Sequence, residues 1–365
     1  MANLVADYRA AMAATASSKK RAREAQHLVL VVGAAGAGKT QVLLQLAQSQ
    51  FGAAGAGFVL SGAALPAGWP ASARSALLGH GGGKEACACC DADELHEAVS
   101  ELGLCETVFV ECDASAEPAR LSMASAGLGS TTTVVCVADE GSFAAAFGSN
   151  LRWPLGRKRH FVDVLIEQIE AAHVLLLRSR APGAEAAWLA DLCAALKPDA
   201  TTASLASLEA VLGARAARGQ APRPFDGVGL TPRRSVIARV HYEASRPFEA
   251  HRFVERVVRA LPVSRPADVL ARASRPPDPA AGVLSGVLRC KGALWIKDDH
   301  VFDLSHCGGH CTLDEGAPWA GRDRRSAVTL IGPGLDERRI FALFDACLLS
   351  DEEYAQYRAY YGGVC

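Results

Sequence analysis

Residues 33–40 read GAAGAGKT, which fits G-x-x-x-x-G-K-[ST], and they follow directly on the apolar run 27–32 (HLVLVV). That placement constrains the fold more than any other feature. The motif needs a strand, a glycine-rich turn and a helix. Glycines let the backbone curl round a phosphate with its N–H groups pointing inward, and the helix adds the positive end of its dipole. Gly33, Gly36 and Gly38 are the expected cradle. Lys39 is the expected contact to the β- and γ-phosphates, and Thr40 the expected Mg²⁺ ligand. The competing reading is a ligand-free turn in a sequence rich in Ala and Gly.

The rest of the first 212 residues has the alternation that such a loop requires. Residues 40–50 predict a helix, and the runs 107–110, 132–137 and 174–177 predict buried strands. Between the last two, Val162, Leu165, Ile166, Ile169 and Ala172 share one helical face. Strands alternating with helices predict an α/β fold: a doubly wound, mostly parallel P-loop sheet. Residues 213–234, rich in Gly, Pro and Arg, predict a linker. Beyond it, strands are expected at 235–242, 283–289, 293–297 and 327–331, with helices at 247–260 and 335–349 and a loop at 265–279. The division is an N-terminal extension at 1–26, a nucleotide-binding domain at 27–212 and a smaller α+β domain at 235–365.

Composition removes several function classes. The net charge of −1 and the 6% of aromatic residues leave no basic, aromatic-studded surface for nucleic acid. No apolar run approaches the roughly 20 residues of a membrane helix. Residues 1–26 lack an apolar signal core, so a helical extension of a cytoplasmic protein is expected, with an organelle address as the alternative.

Three of the twelve cysteines fall within four residues, Cys87-Ala88-Cys89-Cys90. In a reducing compartment such a cluster points to a metal, and thiolates favour zinc or another soft or borderline divalent ion. Adjacent side chains do not easily reach one ion, so two of the three with outside ligands is the expected arrangement. Reduced surface thiols are the alternative.

A P-loop followed about fifty residues on by C-x-C-C resembles the CobW-type metallochaperone GTPases, a group related to HypB and UreG. Residues 111–118 (ECDASAEP) resemble the family's E-T-[ST]-G-L-A-D-P segment, and Val137-Ala138-Asp139 its V-V-D step. Residues 165–170 (LIEQIE) are similar to its L-x-E-Q-I-E helix. Arg246-Pro247-Phe248 and residues 286–295 (GVLRCKGALW) resemble elements of the CobW C-terminal domain. The resemblance implies a GTP- or ATP-dependent protein that uses Mg²⁺ and delivers zinc, or another divalent transition metal, to a client metalloprotein. It implies that Glu111 is the Walker B acid, acting on Mg²⁺ through water, and that Lys39 and Glu111 carry hydrolysis. It assigns Cys87, Cys89 and Cys90 to the metal.

Three departures favour a rival reading, a degenerate relative that binds metal or nucleotide with little hydrolysis. Where the family reads guanine with N-K-x-D, this chain has Arg178-Ser179-Arg180-Ala181, and a cation cannot accept from the guanine donors. No acidic residue occurs between Phe51 and Lys84, where the family has an N-E-F-G segment. Ala114 replaces a glycine of the γ-phosphate sensor, and Cys112 and Asp113 replace small hydroxyl residues. A third class, an ATP-using P-loop kinase or transferase, has no recognisable acceptor site.

Several other residues carry donor or capping groups. His306, Cys307, His310 and Cys311 have near-zinc spacing, against a mobile loop as the alternative. Asp139 is expected to cap a helix, and Glu167 and Glu170 to form a solvated face. Cys105, Cys136, Cys193, Cys290 and Cys347 are expected in the core.

Overall fold

The computed structural model describes residues 27–78, 87–126, 128, 131–147, 160–178, 187–216, 237–262, 268, 282–296, 299–319 and 323–361. The extension 1–26, most of the linker, the 265–279 loop except Asp268, Ser179, Arg180, Ala181 and Lys297 lie outside them.

The first part runs β1 (His27–Val32), α1 (Lys39–Ala47), α2 (Gln50–Ala53), β2 (Gly57–Ser61), β3 (Arg74–Leu78), a 3-10 turn (Ala88–Cys90) and α3 (Ala92–Glu101). It continues with β4 (Thr107–Glu111), α4 (Pro118–Ala126), β5 (Thr132–Asp139), α5 (Glu140–Phe147), α6 (Phe161–Glu170) and β6 (Val174–Arg178). It closes with α7 (Ala187–Leu196), β7 (Thr201–Ala203) and α8 (Leu205–Ala216). The seven strands lie in the order β3-β2-β4-β1-β5-β6-β7, all parallel. Both faces are covered. Val29, Val31, Leu43 and Phe109 belong to the core on one side, and Leu28, Leu30, Val110 and Ile166 to the core on the other. A parallel strand covered on both faces is apolar along its whole length, as all six buried residues of β1 are.

The second part runs β8 (Ile237–Ala244), α9 (Ala250–Arg256), β9 (Arg289–Leu294), β10 (His300–Cys307), β11 (His310–Pro318), β12 (Ser326–Pro333), α10 (Glu337–Asp345) and α11 (Asp351–Tyr361). Its sheet is antiparallel, in the order β11-β10-β9-β12-β8. Phe253, Ile340 and Phe344 carry α9 and α10 onto it. Among the described residues no helix is long and apolar enough to cross a membrane.

Three details differ from the sequence reading. Where strands are expected at 283–289 and 293–297, residues 283–286 form a turn and a single strand, β9, runs from Arg289 to Leu294 with Gly292 inside it. A Cβ there would stand 2.7 Å from the Ala327 carbonyl oxygen, so the gap in the apolar pattern marks close approach of two backbones. The closing helix expected at 335–349 ends at Asp345; it is α10, capped by Asp336 accepting from Arg339 N. A further helix that the sequence reading does not include, α11, follows it, its Tyr357 hydroxyl taking a 3.1 Å bond from Trp295 Nε1. Glu170 is not simply solvated. Its carboxylate lies 3.2 Å from Lys291 and 3.8 Å from the buried Arg289, across the junction between the two sheets. That junction is also apolar, since Ile237, Leu288, Cys307 and Ile331 belong to the same core cluster as Leu189 and Leu192 of α7.

Candidate nucleotide and metal site

In a parallel sheet every strand ends at the same edge, and the candidate residues collect there because β4, β1, β5 and β6 are neighbours. Register pairs Val31 with Glu111 and Asp139 with Arg178. Residues 33–38 curl off β1 with Gly33, Gly36 and Gly38 at φ of 144°, 76° and 90°. Gly33 leaves no room for a side chain, and at Gly38 one would displace a neighbouring side chain. A Cβ on Gly33 would meet the Val137 carbonyl oxygen at 2.4 Å, and one on Gly38 would overlap the Arg178 guanidinium.

Lys39 opens α1 and is buried. Its ammonium donates to the carbonyls of Gly33 at 2.9 Å and Ala34 at 3.0 Å. Burial lowers its pKa, and Glu111 is the main charge opposing that shift. Thr40 Oγ1 donates to Glu111 Oε1 at 2.6 Å, so its lone pairs remain free for a cation. Glu111 is buried, and its Oε2 has no hydrogen-bond partner among the described residues. A hydroxyl and an orphaned carboxylate oxygen form a hard-oxygen set suited to Mg²⁺. The loop, Lys39, Thr40 and Glu111 therefore meet at one place. Asp139 accepts from Ser142 N at 3.0 Å and caps α5, as its sequence context suggested.

The cysteine cluster lies beside this site. The 3-10 turn folds Cys87, Cys89 and Cys90 so that their sulfurs lie within 4.8 Å of one another, with Cys87 and Cys89 3.3 Å apart. All three sulfurs converge, where the sequence reading expects two with outside ligands; a 3-10 turn eclipses residues three apart, which brings Cys87 and Cys90 to one side. Sulfurs bound 2.3 Å from a tetrahedral ion stand about 3.8 Å apart, which the trio approaches. Hydrogen bonds from the Cys89 and Cys90 thiols draw the Cys87 pKa well down. Cys89 and Cys90 are pushed up, Cys89 chiefly by the Cys112 thiol and Cys90 chiefly by Cys87. Three thiols sharing one stabilised thiolate form a set ready for a soft cation.

One segment joins the two sites. After Glu111, the Asp113 amide donates to Cys89 Sγ at 3.4 Å, and Ser115 folds back on Asp113 through two bonds of 2.8 and 2.6 Å. Gln168 of α6 holds the same segment by donating to the carbonyls of Ala114 and Ala116.

Sequence reasoning missed two of these roles. Arg178 is not merely a lost base-reading residue, since its Nη1 donates to the Ala37 carbonyl at 3.0 Å and braces the phosphate loop. Gln168 is buried and polar on an otherwise apolar helix face, and that was the available signal.

The His/Cys group at 306–311 is neither loop nor cluster. It is a hairpin turn, Cys307 pairing with His310 around Gly308. His306 Nε2 contacts the Pro262 carbonyl at 2.8 Å, whereas His310 Nε2 lies 2.9 Å from Asp163 Oδ2 and its ring stacks on His160. The residues point different ways, and among the described residues only Cys87, Cys89 and Cys90 converge as a possible metal set. Cys105, Cys136, Cys193, Cys290 and Cys347 are core residues.

The parallel sheet, the loop after β1 and the acid at the end of β4 define a P-loop nucleotide-binding fold. Residues 237–348 match the family model for the cobalamin synthesis protein cobW C-terminal domain, a match that spans the second sheet. Among solved structures, the chain is similar to a Zn(II)-bound triple mutant of the YjiA GTPase, at 16% identity and a TM-score of 0.40, covering 88% of this chain and 99% of that one. The Zn(II)-bound YjiA GTPase from E. coli gives 15%, 0.36 and the same coverage. HypB from Helicobacter pylori in complex with nickel gives 14% and 0.36, covering 57% of this chain and 97% of that one. No curated protein sequence matches the chain.

Proposed function

We propose that this chain binds a nucleoside triphosphate with Mg²⁺ on the loop at 33–40 and a zinc-like divalent ion on Cys87, Cys89 and Cys90, and that nucleotide state controls delivery of the ion to a client metalloprotein. In this reading Lys39 meets the β- and γ-phosphates, Thr40 ligates Mg²⁺ and Glu111 acts on it through water. The observation that carries the proposal is the shared segment. Glu111 holds the Thr40 hydroxyl, and two residues later the Asp113 amide donates to Cys89. A shift of Glu111 on nucleotide binding reaches the thiols through one short stretch of backbone. Coupling must be reciprocal, so nucleotide and metal change each other's affinity by the same factor, ordinarily worth about 1–3 kcal/mol.

The test titrates zinc against a competing chelator with no nucleotide, with GDP and with a non-hydrolysable GTP analogue. Different affinities in the three states support the cycle, and identical ones exclude it. A second reading, binding without turnover, is favoured by Arg178. A guanidinium stands where a base-reading group is expected and is committed to the Ala37 carbonyl. Without a carboxylate to pair with the guanine donors, selectivity between GTP and ATP is expected to be weak. A GTP preference above about a hundredfold, 2.7 kcal/mol, would show that another residue reads the base.

A further inference from the structure

A cavity of about 800 Å³ lies between α6 and the face of the second sheet turned away from α9 and α10. Its floor is a grid set by strand register. Alternate residues of a strand share a face, and Lys291, Ser305 and Thr312 lie side by side on β9, β10 and β11. Two residues along, about 7 Å at 3.4 Å per residue, Asp303 and Asp314 are directly paired. Two residues the other way on β9 stands Arg289. Both ends of this grid are poorly matched. Arg289 is 3% exposed, and its Nη1 donates to Ser305 Oγ at 2.9 Å and to the His306 carbonyl at 3.3 Å. Its Nε has no hydrogen-bond acceptor among the described residues. Glu170 Oε1 stands 3.8 Å from that nitrogen, beyond hydrogen-bonding reach, while Oε2 lies 3.2 Å from Lys291. A guanidinium favours a carboxylate that takes two of its donors, and Glu170 is not placed to do so. At the other end, like charges directly opposite each other destabilise a strand pair. Among the described residues neither Asp303 nor Asp314 has an ion-pair partner.

We propose that this cleft binds an extended segment of a partner protein that carries one acidic and one basic side chain two residues apart. The acid takes the place of Glu170 between Arg289 and Lys291, and the base lies between Asp303 and Asp314. Neither the phosphate loop nor the cysteine trio takes part. Charge decides the class of ligand. Asp163 and Glu167 of α6 also line the cavity, so Asp163, Glu167, Asp303 and Asp314 stand against Arg289 and Lys291. Asp163 already faces His310 at 2.9 Å. That excess of carboxylate repels a phosphate or an acidic peptide, while a simple cation leaves Arg289 without an acceptor. A mixed-charge segment answers both ends. Its spacing fits as well, because side chains two apart on an extended chain point the same way about 7 Å apart, which is the separation of the two rows. Between the rows, Ser305 and Thr312 offer hydroxyls that pair with either a peptide N–H or a carbonyl.

The experiment titrates the full chain calorimetrically with three pentapeptides blocked at both ends: Gly-Glu-Ala-Lys-Gly, Gly-Glu-Ala-Glu-Gly and Gly-Lys-Ala-Lys-Gly. The mixed-charge peptide is expected to bind at least about tenfold more tightly than either of the others, since like-charge contacts reject the wrong partner. Equal affinities, or no binding of the mixed peptide, would overturn the proposal. Lys291→Glu alters a side chain that is 57% exposed, and it is expected to move the preference to the two-lysine peptide. A lysine with a merely structural role would weaken all three peptides alike, and that result counts against the site. Glu170→Gln removes the resident carboxylate and is expected to tighten the mixed peptide about threefold or more, as loss of a competing charge does. Unchanged or weaker binding in that variant would show that the ligand does not replace Glu170. Triglycine with free termini, a small zwitterion, is the last arm. If it binds as tightly as the blocked mixed peptide, the cleft is a site for small zwitterions and the assignment to a protein segment fails.

Discussion

Two short segments of this chain look alike on paper and differ in space. Cys87-Ala88-Cys89-Cys90 and His306-Cys307-Gly308-Gly309-His310-Cys311 both set soft donors at intervals common in zinc sites. The first lies in a 3-10 turn ahead of a helix, and its sulfurs converge. The second is a β-hairpin, where successive side chains take opposite faces of the sheet. His306 then meets Pro262, Cys307 enters the core shared by the two domains, and His310 turns to Asp163. Donor spacing is therefore a statement about metal only once the backbone period is known. Of the hairpin's donors, Cys307 and His310 join the second domain to the first, His310 through α6, while His306 stays within the second.

The strongest way to break this contrast is to exchange serine for thiol in both segments. Cys89→Ser with Cys90→Ser is expected to weaken zinc binding by at least about a thousandfold, 4.1 kcal/mol, measured by chelator competition. Cys311→Ser should leave it unchanged. A comparable loss from Cys311→Ser would show that the hairpin holds metal after all.

The next effect sharpens the link between the convergent cluster and the phosphate loop. Lys39→Ala should lower nucleotide affinity at least about a hundredfold in a fluorescent-analogue titration while the circular dichroism spectrum stays the same. Unchanged affinity would remove the phosphate-loop assignment.

Two smaller effects test the hairpin as a structural joint. Gly308 has φ of +52°, and a Cβ there would sit 1.9 Å from the Phe147 carbonyl oxygen. Gly308→Ala should cost about 2 kcal/mol or more in stability, read from a denaturant melt, with zinc affinity unaltered. Full stability would mean that the hairpin does not press on α5. Asp163→Asn removes the charged partner of the buried His310, 2.9 Å away, and should cost about 1 kcal/mol. No change would mean that the pair contributes nothing to the joint. Loss of zinc in either variant would return the hairpin to the list of metal candidates.

Much of the candidate site was legible because its parts announce themselves locally. The glycines of 33–38 are required by the backbone they form, and Lys39 and Thr40 sit at a fixed offset from them. Glu111 was reached through its apolar strand and the family segment that follows. In the sequence Arg178 is only the loss of a base-reading residue, since its partner Ala37 lies 141 residues away and only the adjacency of β1, β5 and β6 brings them together. Helical spacing places Glu170 on a solvated face, and nothing in that period tells which surface residue will meet another domain.

The sequence alone determined the alternation of strands and helices around the phosphate loop, the parallel sheet and the loop that opens α1. These follow from apolar runs of strand length, from helical spacing and from glycine's freedom at positive φ, all properties of neighbours in the chain. It also determined which residues are chemically able to hold phosphate or metal. The tertiary structure decided which of them meet. Strand order brings Glu111 to Thr40 and Arg178 to the loop, the 3-10 turn draws three sulfurs together, and the pleat of the hairpin separates His306 from Cys307. Convergence depends on contacts between residues far apart in sequence, and no local period encodes those.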